Sequence, residues 1–191
     1  MTPTSKLEAV NVMLSSIGEA PVNSLSSGLL DAELAETILN NANREVQSKG
    51  WHFNTENGYP LTPDNVTKQI ALPTNTLGVD GDVQSTQLDI AQRSGKLYNR
   101  VGHTFTFDNA VKVTIILLLD FEDIPEVARR YIALRAARVF QDRTIGSSEL
   151  HGFQQRDEME AKLELDEQEN RDADYNIFNG VDTYSIINRR G

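Results

Sequence analysis

The sequence predicts an α+β fold in which both ends of the chain form one helical bundle and a small antiparallel β domain is inserted between them. Helical periodicity is present before residue 50 and returns after residue 123, whereas the intervening residues form short alternating segments separated by Gly, Pro, Asn and Asp. Because amphipathic helices from both ends need a shared core, the bundle is predicted to be discontinuous. The predicted boundaries are 1–50 and 121–175 for the bundle, 51–120 for the β domain and 176–191 for an extended C-terminal tail.

The first two helices are predicted from their caps and apolar stripes. Ser5 and Glu8 have the spacing of a capping box, and Gly18 ends that helix. A second helix is predicted to begin with Asp31 as N-cap and to end at Gly50. Its buried face is predicted to contain Leu34, Ala35, Ile38, Leu39, Ala42 and Val46.

The β domain is predicted from its turns and from alternation of apolar residues. The stretch RSGK, residues 93–96, indicates a hairpin turn between two short strands. Alternating valines and isoleucine precede a continuously apolar run, so the strand near 111–119 is predicted to be the most buried. Trp51 follows the last helical residues, and we expect it to mark the domain crossing and fill the junction rather than stack on a ligand.

Two helices of opposite charge follow the β domain. The third is predicted to start near Asp123 and Pro125, to run to about Arg143 and to be buried on two sides. The fourth, from about 149 to 174, is strongly acidic. The charges allow pairing across a hairpin within one chain or contact with a neighbouring copy, and the two-sided third helix favours the neighbour. The residues of this predicted subunit contact are Arg129, Arg130, Arg135, Arg138, Glu158, Glu160, Asp166 and Glu167.

Composition excludes several classes of function. The 191-residue chain has no cysteine, so no disulfide or thiolate chemistry is predicted. It has no secretory signal pattern and its longest apolar run is too short to span a bilayer, so no membrane association is expected. A formal net charge of −10 opposes tight DNA binding, because contact with the phosphate backbone requires clustered lysine and arginine.

Local motifs indicate neither an enzyme nor a cofactor. The RSGK stretch lacks the remainder of a P-loop, and no G-x-S-x-G elbow occurs. His52, His103 and His151 are isolated in the sequence, so no metal site is predicted. The chain is therefore predicted to be structural, with no catalytic residue and no cofactor. Glycan hydrolysis remains the alternative, because a pair of acids among the 28 carboxylates needs no sequence motif.

The end of the chain is apolar and aromatic but lacks helical or strand periodicity. Such a segment is either packed on its own domain or reserved for a partner. Two terminal arginines give it a net positive charge, and docking on a partner is favoured. The residues of this predicted docking tail are Tyr175, Ile177, Phe178, Tyr184, Ile186, Ile187, Arg189 and Arg190.

Four segments, taken in order, resemble one known family. They are KLEAVNVMLSSIGEAPVNSL, NREVQSKGWHFNTE, YIALRAARVFQDRTIGS and DADYNIF. Together they span nearly the whole chain and resemble tail tubular protein A, the head-to-tail adaptor of short-tailed podovirus-type bacteriophages. The resemblance implies a virion protein, assembled in the host cytoplasm, that forms a twelve-subunit ring between the portal protein and the tail nozzle protein. It also implies a DNA ejection channel, whose acidic lumen would repel the DNA backbone, and a C-terminal segment that reaches the portal.

Overall fold

The computed structural model describes residues 3–81 and 89–179. The chain divides into a helical unit, Met1–Asn43 with Phe121–Gly191, and a β unit, Arg44–Asp120. The division falls within the second helix, between Asn43 and Arg44, whereas the sequence placed it after residue 50. The predicted α+β class, with a β segment inserted into a helical bundle, is confirmed.

Four helices are present in the described part of the chain. They are α1 (Lys6–Ser16), α2 (Leu30–Gln47), α3 (Glu126–Thr144) and α4 (Ser148–Asn179). The predicted capping box of α1 is confirmed: the Ser5 amide donates to Glu8 Oε2 at 2.7 Å, and the Glu8 amide donates to Ser5 Oγ at 3.2 Å. These two bonds satisfy backbone donors that have no partner inside the helix.

Helix α2 differs from its prediction at both ends and on one face. It begins at Leu30, so Asp31 lies in the first turn and is not the cap. The placement of Leu34 on the buried face is wrong, since this residue is 42% exposed. The buried side follows Ala32, Ala35 and Leu39, which turns position 34 towards solvent. The helix ends at Gln47, three residues before the predicted end.

Helix α3 is covered on two sides within the chain. It packs against both α1 and α4. Four buried alanines allow the neighbouring helices to approach closely, while Tyr131, Ile132 and Phe140 fill the core. The predicted double burial of α3 is therefore explained by its own chain. Pro125 occupies the cap position, so the helix starts later than predicted. The four alanines are Ala128, Ala133, Ala136 and Ala137.

The β unit contains two antiparallel sheets among the described residues. The strands are β1 (Thr55–Leu61), β2 (Thr76–Gly81), β3 (Ile90–Arg93), β4 (Lys96–Asn99) and β5 (Val111–Leu117). The larger sheet has the order β1-β5-β2, and β3 pairs with β4. Central strand β5 contains the fully buried Val113 and Ile115, which confirms that this strand is the most buried. The predicted RSGK hairpin is also confirmed: Ser94 and Gly95 both have positive φ, as a two-residue I′ turn requires.

Helix α4 is longer than the sequence indicated. It was predicted to end near residue 174 and to give way to an extended tail at 176, yet its backbone remains helical to Asn179. The first residues of the predicted tail therefore belong to α4. Polar residues surround this last part of the helix in the sequence, which is why its apolar periodicity is weak.

Candidate contact site

The ion-pair cluster between α3 and α4 contains most of the charged residues that the sequence singled out. Glu158 is its centre: Oε1 accepts from Arg135 Nη1 at 2.9 Å, and Oε2 accepts from Arg138 Nε. Glu158 is only 8% exposed, so its charge is largely removed from water. A carboxylate in this position requires close cationic partners, and the two guanidinium groups supply them.

The cluster continues to the turn between the two helices. Arg138 Nη1 lies 3.4 Å from Asp142 Oδ2, and the same carboxylate has its Oδ1 2.8 Å from His151 Nδ1. The hydrogen bond with Glu158 raises the pKa of Arg138 above its ordinary value, although burial acts in the opposite direction. The guanidinium therefore stays charged at every accessible pH and holds both acids.

The remaining predicted contact residues lie closer to solvent. Arg130 donates from Nη1 to both carboxylate oxygens of Glu164, at 2.8 and 3.1 Å, in a pair whose side chains are about half exposed. Asp166 accepts from Lys162 one turn earlier in α4. Glu160 and Glu167 are exposed. An exposed pair such as Arg130 with Glu164 contributes about 0.2–1 kcal/mol, so Glu158 is the stronger link between the helices.

Arg129 has a different role from the other arginines. Its Nε donates to Ile124 O at 2.8 Å and its Nη1 to Thr4 O at 3.0 Å, while Nη2 donates to Glu122 O. Thr4 also donates its amide to Glu126 Oε2 at 2.7 Å. Arg129 thus connects the start of the chain to the segment before α3 through backbone carbonyls.

The structure therefore contains the pairing within one chain that the sequence left open. Arg130, Arg135 and Arg138 have acidic partners on α4, and α3 packs against two helices of its own chain. A neighbouring copy that used these arginines would have to displace those partners. The predicted subunit contact through them stays a prediction.

Trp51 lies inside the β unit, close to the point where α2 ends. The indole is 7% exposed, and its Nε1 donates to Val46 O at 2.7 Å. Asn54 accepts from the Trp51 amide at 2.8 Å and donates to the carbonyls of Gln47 and Leu117, both at 2.9 Å. The residue that the sequence assigned to the domain crossing is therefore held by polar contacts of the β unit itself.

Sequence reasoning missed two polar anchors. Gln47 is fully buried and bonds the backbone of Leu119 in both directions, at 2.9 Å each. Its position four residues after the buried Asn43 is a usable signal, because i, i+4 places both on one helix face. The other anchor is the contact between Asp142 and His151, which joins the two sides of the α3–α4 turn. The sequence feature that could have revealed this contact is an acidic residue shortly before a helix break and a histidine shortly after it.

The predicted docking tail lies only partly within the described residues. Tyr175, Ile177 and Phe178 belong to the backbone of α4. The other members, Tyr184, Ile186, Ile187, Arg189 and Arg190, lie outside the described residues.

A surface depression of about 350 Å³ in the β unit was compared with the requirements of the hydrolase alternative. It is lined by Asn99, Thr106 and residues 107–111. Its single carboxylate is that of Asp108, whereas glycoside hydrolysis generally uses two. The depression therefore gives no support to glycan hydrolysis.

Within residues 3–81 and 89–179, no three His, Cys, Asp or Glu side chains are grouped so as to hold a metal ion. None of the helices in that part of the chain combines the length and apolar character that a bilayer crossing requires.

Among the described residues, the charged side chains that the sequence singled out join α3 to α4 within one chain. The profile of the tail tubular protein family matches residues 7–175. The chain is also 31% identical over 164 residues to Tail tubular protein A of Klebsiella phage KP34, across 85% of this chain and 86% of that protein. The chain belongs to the tail tubular protein family and is a structural component of a bacteriophage tail, as the resemblance of its four segments indicated.

Proposed function

We propose that this protein is one subunit of a twelve-membered adaptor ring that joins the portal vertex to the tail nozzle and forms part of the DNA ejection channel. The observation that carries the proposal is the family match over residues 7–175, which includes elements of both units. A head-to-tail contact whose rotation closes produces such a ring from identical subunits.

The distribution of charge supports a role beside moving DNA. The sequence of the helical unit has 20 acidic residues against 11 lysines and arginines, a net charge of −9, whereas the β unit has 8 against 7, a net charge of −1. An acidic surface repels the phosphate backbone and keeps DNA from binding during passage. The channel lining is accordingly assigned to the helical unit.

Electron microscopy of the purified protein mixed with its portal tests the ring. We expect twelve copies on the portal axis, with the portal alone as the control, and attachment of the nozzle protein only after the ring has formed. A chain that does not bind the portal would overturn the proposal. A gel-shift assay at low salt is expected to show no retention of duplex DNA, since the chain has a formal net charge of −10.

The C-terminal segment is proposed to dock on the portal. Its terminal arginines and apolar residues supply both the charge and the contact area that a partner surface can use. Truncation after Asn179, where α4 ends, is expected to preserve the melting temperature and to abolish attachment to the portal. A truncated chain that melts several degrees lower and still binds the portal would show that the segment packs on its own subunit.

A further inference from the structure

The outward side of α4 carries an exposed apolar surface, which we call the α4 patch: Phe153, Arg156, Met159 and Leu163. Met159 and Leu163 are each 60% exposed and Phe153 is 58% exposed. Spacings of three, four and seven residues place these side chains along one side of the helix. The opposite side holds Glu158, Ala161 and Leu165, which are buried in the helical unit. The α4 patch is therefore separate from the ion-pair cluster.

A second exposed apolar surface lies at the start of α2, and we call it the α2 patch: Leu30, Glu33 and Leu34. Leu30 is 81% exposed and Leu34 is 42% exposed, and Leu29, just before the helix, is 55% exposed. Leu30 and Leu34 are one turn apart, so they form a continuous apolar ridge with Glu33 beside it. This surface explains why the sequence pattern wrongly placed Leu34 in the core: its side chain is apolar but faces outward.

The two patches are complementary in charge. Arg156 makes no hydrogen bond or ion pair with any of the described residues, and neither do the carboxylates of Asp31 and Glu33. Each patch thus combines exposed apolar side chains with a charged side chain that has no partner among the described residues, Arg156 on α4 and Glu33 on α2. Methionine and arginine are among the residues enriched in the cores of protein interfaces, and apolar pairs bordered by opposite charges suit a specific contact.

We propose that the α4 patch of one copy binds the α2 patch of the next copy in the ring, with Arg156 against Glu33. The inference rests on the proposed adaptor ring and names the surfaces through which its subunits meet. The contact is head-to-tail, because two different surfaces are used, and such contacts generate rings. The ion-pair cluster of α3 and α4 remains intact inside each copy.

Contact between two α2 patches is disfavoured by their charges. Two α2 helices would bring Asp31 and Glu33 towards their own equivalents. Like charges at close range oppose association, so the unlike pairing is the favourable one.

The absence of cysteine from the sequence permits a direct test by disulfide cross-linking. Thr37→Cys marks the α2 patch, four residues beyond Glu33. Gly152→Cys marks the α4 patch four residues before Arg156, and a Cβ at Gly152 meets no atom within 4 Å. Glu160→Cys lies four residues after Arg156. Antiparallel helix axes bring position 37 beside 152, and parallel axes bring it beside 160.

The single-cysteine, full-length variants are mixed in pairs and oxidised, both free in solution and after binding to the portal. We expect Thr37→Cys to form a dimer with either Gly152→Cys or Glu160→Cys, at about ten times or more the yield with Val66→Cys. Val66 is a matched control because it is 88% exposed and lies in the β unit. Unchanged melting temperatures show that each variant folds.

Three results would overturn the inference: equal yield with Val66→Cys, efficient cross-linking of one variant to itself, or no cross-link between copies. Cross-linking of one variant to itself would indicate a symmetric contact. The absence of any cross-link between copies would indicate that the patches bind a different partner. A ring that forms on the portal without these cross-links rejects the named surfaces and retains the proposed function. A chain that never binds the portal rejects the proposed function, whatever its cross-links.

Discussion

The helical unit and the β unit are held together by different interactions. In the β unit, mostly aliphatic side chains from the strands and the segments between them form an apolar cluster, and Gln47 and Asn54 bond backbone groups near the strand ends. In the helical unit, the alanine-rich α3 packs against α1 and α4, and Glu158 joins α3 to α4 through two arginines. Charged side chains therefore take part in the internal packing of the helical unit, whereas the internal polar contacts described for the β unit use neutral side chains.

The surfaces differ in the same way. The helical unit exposes apolar side chains along two helices, at the α2 and α4 patches, whereas Val66 and Val101 of the β unit are isolated in turns. Scattered single apolar residues are ordinary, but helical ridges of them are typical of contact surfaces. The comparison therefore favours the helical unit as the part that makes the proposed contacts between copies.

The largest expected effect tests whether the two units have separate cores. Phe140→Ala removes a fully buried ring from the helical unit and is expected to lower its free energy of unfolding by about 3–5 kcal/mol. Ile115→Ala in the β unit is expected to cost about 2–5 kcal/mol. In calorimetry, each substitution should shift one thermal transition and spare the other. If both lower one common transition, the units unfold as a single cooperative core.

The second effect concerns the ion-pair cluster. Glu158→Gln keeps the shape of the side chain and leaves Arg135 and Arg138 without their shared negative charge. We expect a loss of about 1.5–3 kcal/mol, because hydrogen bonds to charged, poorly solvated groups are among the stronger ones. Glu164→Gln, in the half-exposed pair with Arg130, should cost about 0.2–1 kcal/mol. Equal losses in urea unfolding would show that burial of Glu158 has no energetic consequence.

Features set by neighbouring residues in the sequence were predicted correctly. The capping box at Ser5, the hairpin at Ser94 and Gly95, and the burial of β5 each depend on a few adjacent side chains and on backbone preference. The α+β class followed from the change of periodicity along the chain. These features persist because the tertiary structure does not compete with them.

Features set by distant partners were not predictable from periodicity. Leu34 has the correct spacing for the core but lies beyond the edge of the buried side of α2. The apolar residues of α3 did not show that α1 and α4 of the same chain pack against this helix, and a contact with a neighbouring copy stays a prediction. Glu158 could be recognised as charged, yet its burial depends on which face of α4 meets α3. The α2 and α4 patches are visible only once these packing choices are known.

A smaller effect is expected at the proposed contact surfaces. Arg156→Glu should weaken association between copies about tenfold, which corresponds to about 1.4 kcal/mol, without changing the melting temperature. Combining it with Glu33→Arg should restore association, because the charges are exchanged. Arg171→Glu, on the same helix outside the patch, is the matched control. Analytical ultracentrifugation or mass photometry measures the association. If the double variant does not recover association, Arg156 and Glu33 do not contact each other between copies.

The smallest expected effect is on stability in acid. It concerns one carboxylate in each unit that accepts hydrogen bonds from backbone amides. In the helical unit, the hydrogen bond from the Ser5 amide, with the Ser5 hydroxyl, lowers the pKa of Glu8 below 4.5. In the β unit, the amide and hydroxyl of Thr67 and the amide of Val66 lower the pKa of Asp64 below 3.8. Because the folded state binds these protons less readily, each carboxylate stabilises its unit above its ordinary pKa, and this contribution is lost as the pH falls through the folded value.

Glu8→Gln and Asp64→Asn retain a hydrogen-bond acceptor but cannot titrate. Glu8→Gln is therefore expected to flatten the dependence of the helical unit's melting transition on pH, from 4.5 downward, and to leave that of the β unit unchanged. Asp64→Asn is expected to do the reverse from 3.8 downward. Both shifts should be small because the carboxylates are fully exposed and well hydrated. Thermal melts monitored by far-ultraviolet circular dichroism for the helices and by Trp51 fluorescence for the β unit follow the two transitions separately. If either substitution alters both pH profiles equally, the two units share their acid response, and the contrast between them is confined to packing and surface charge.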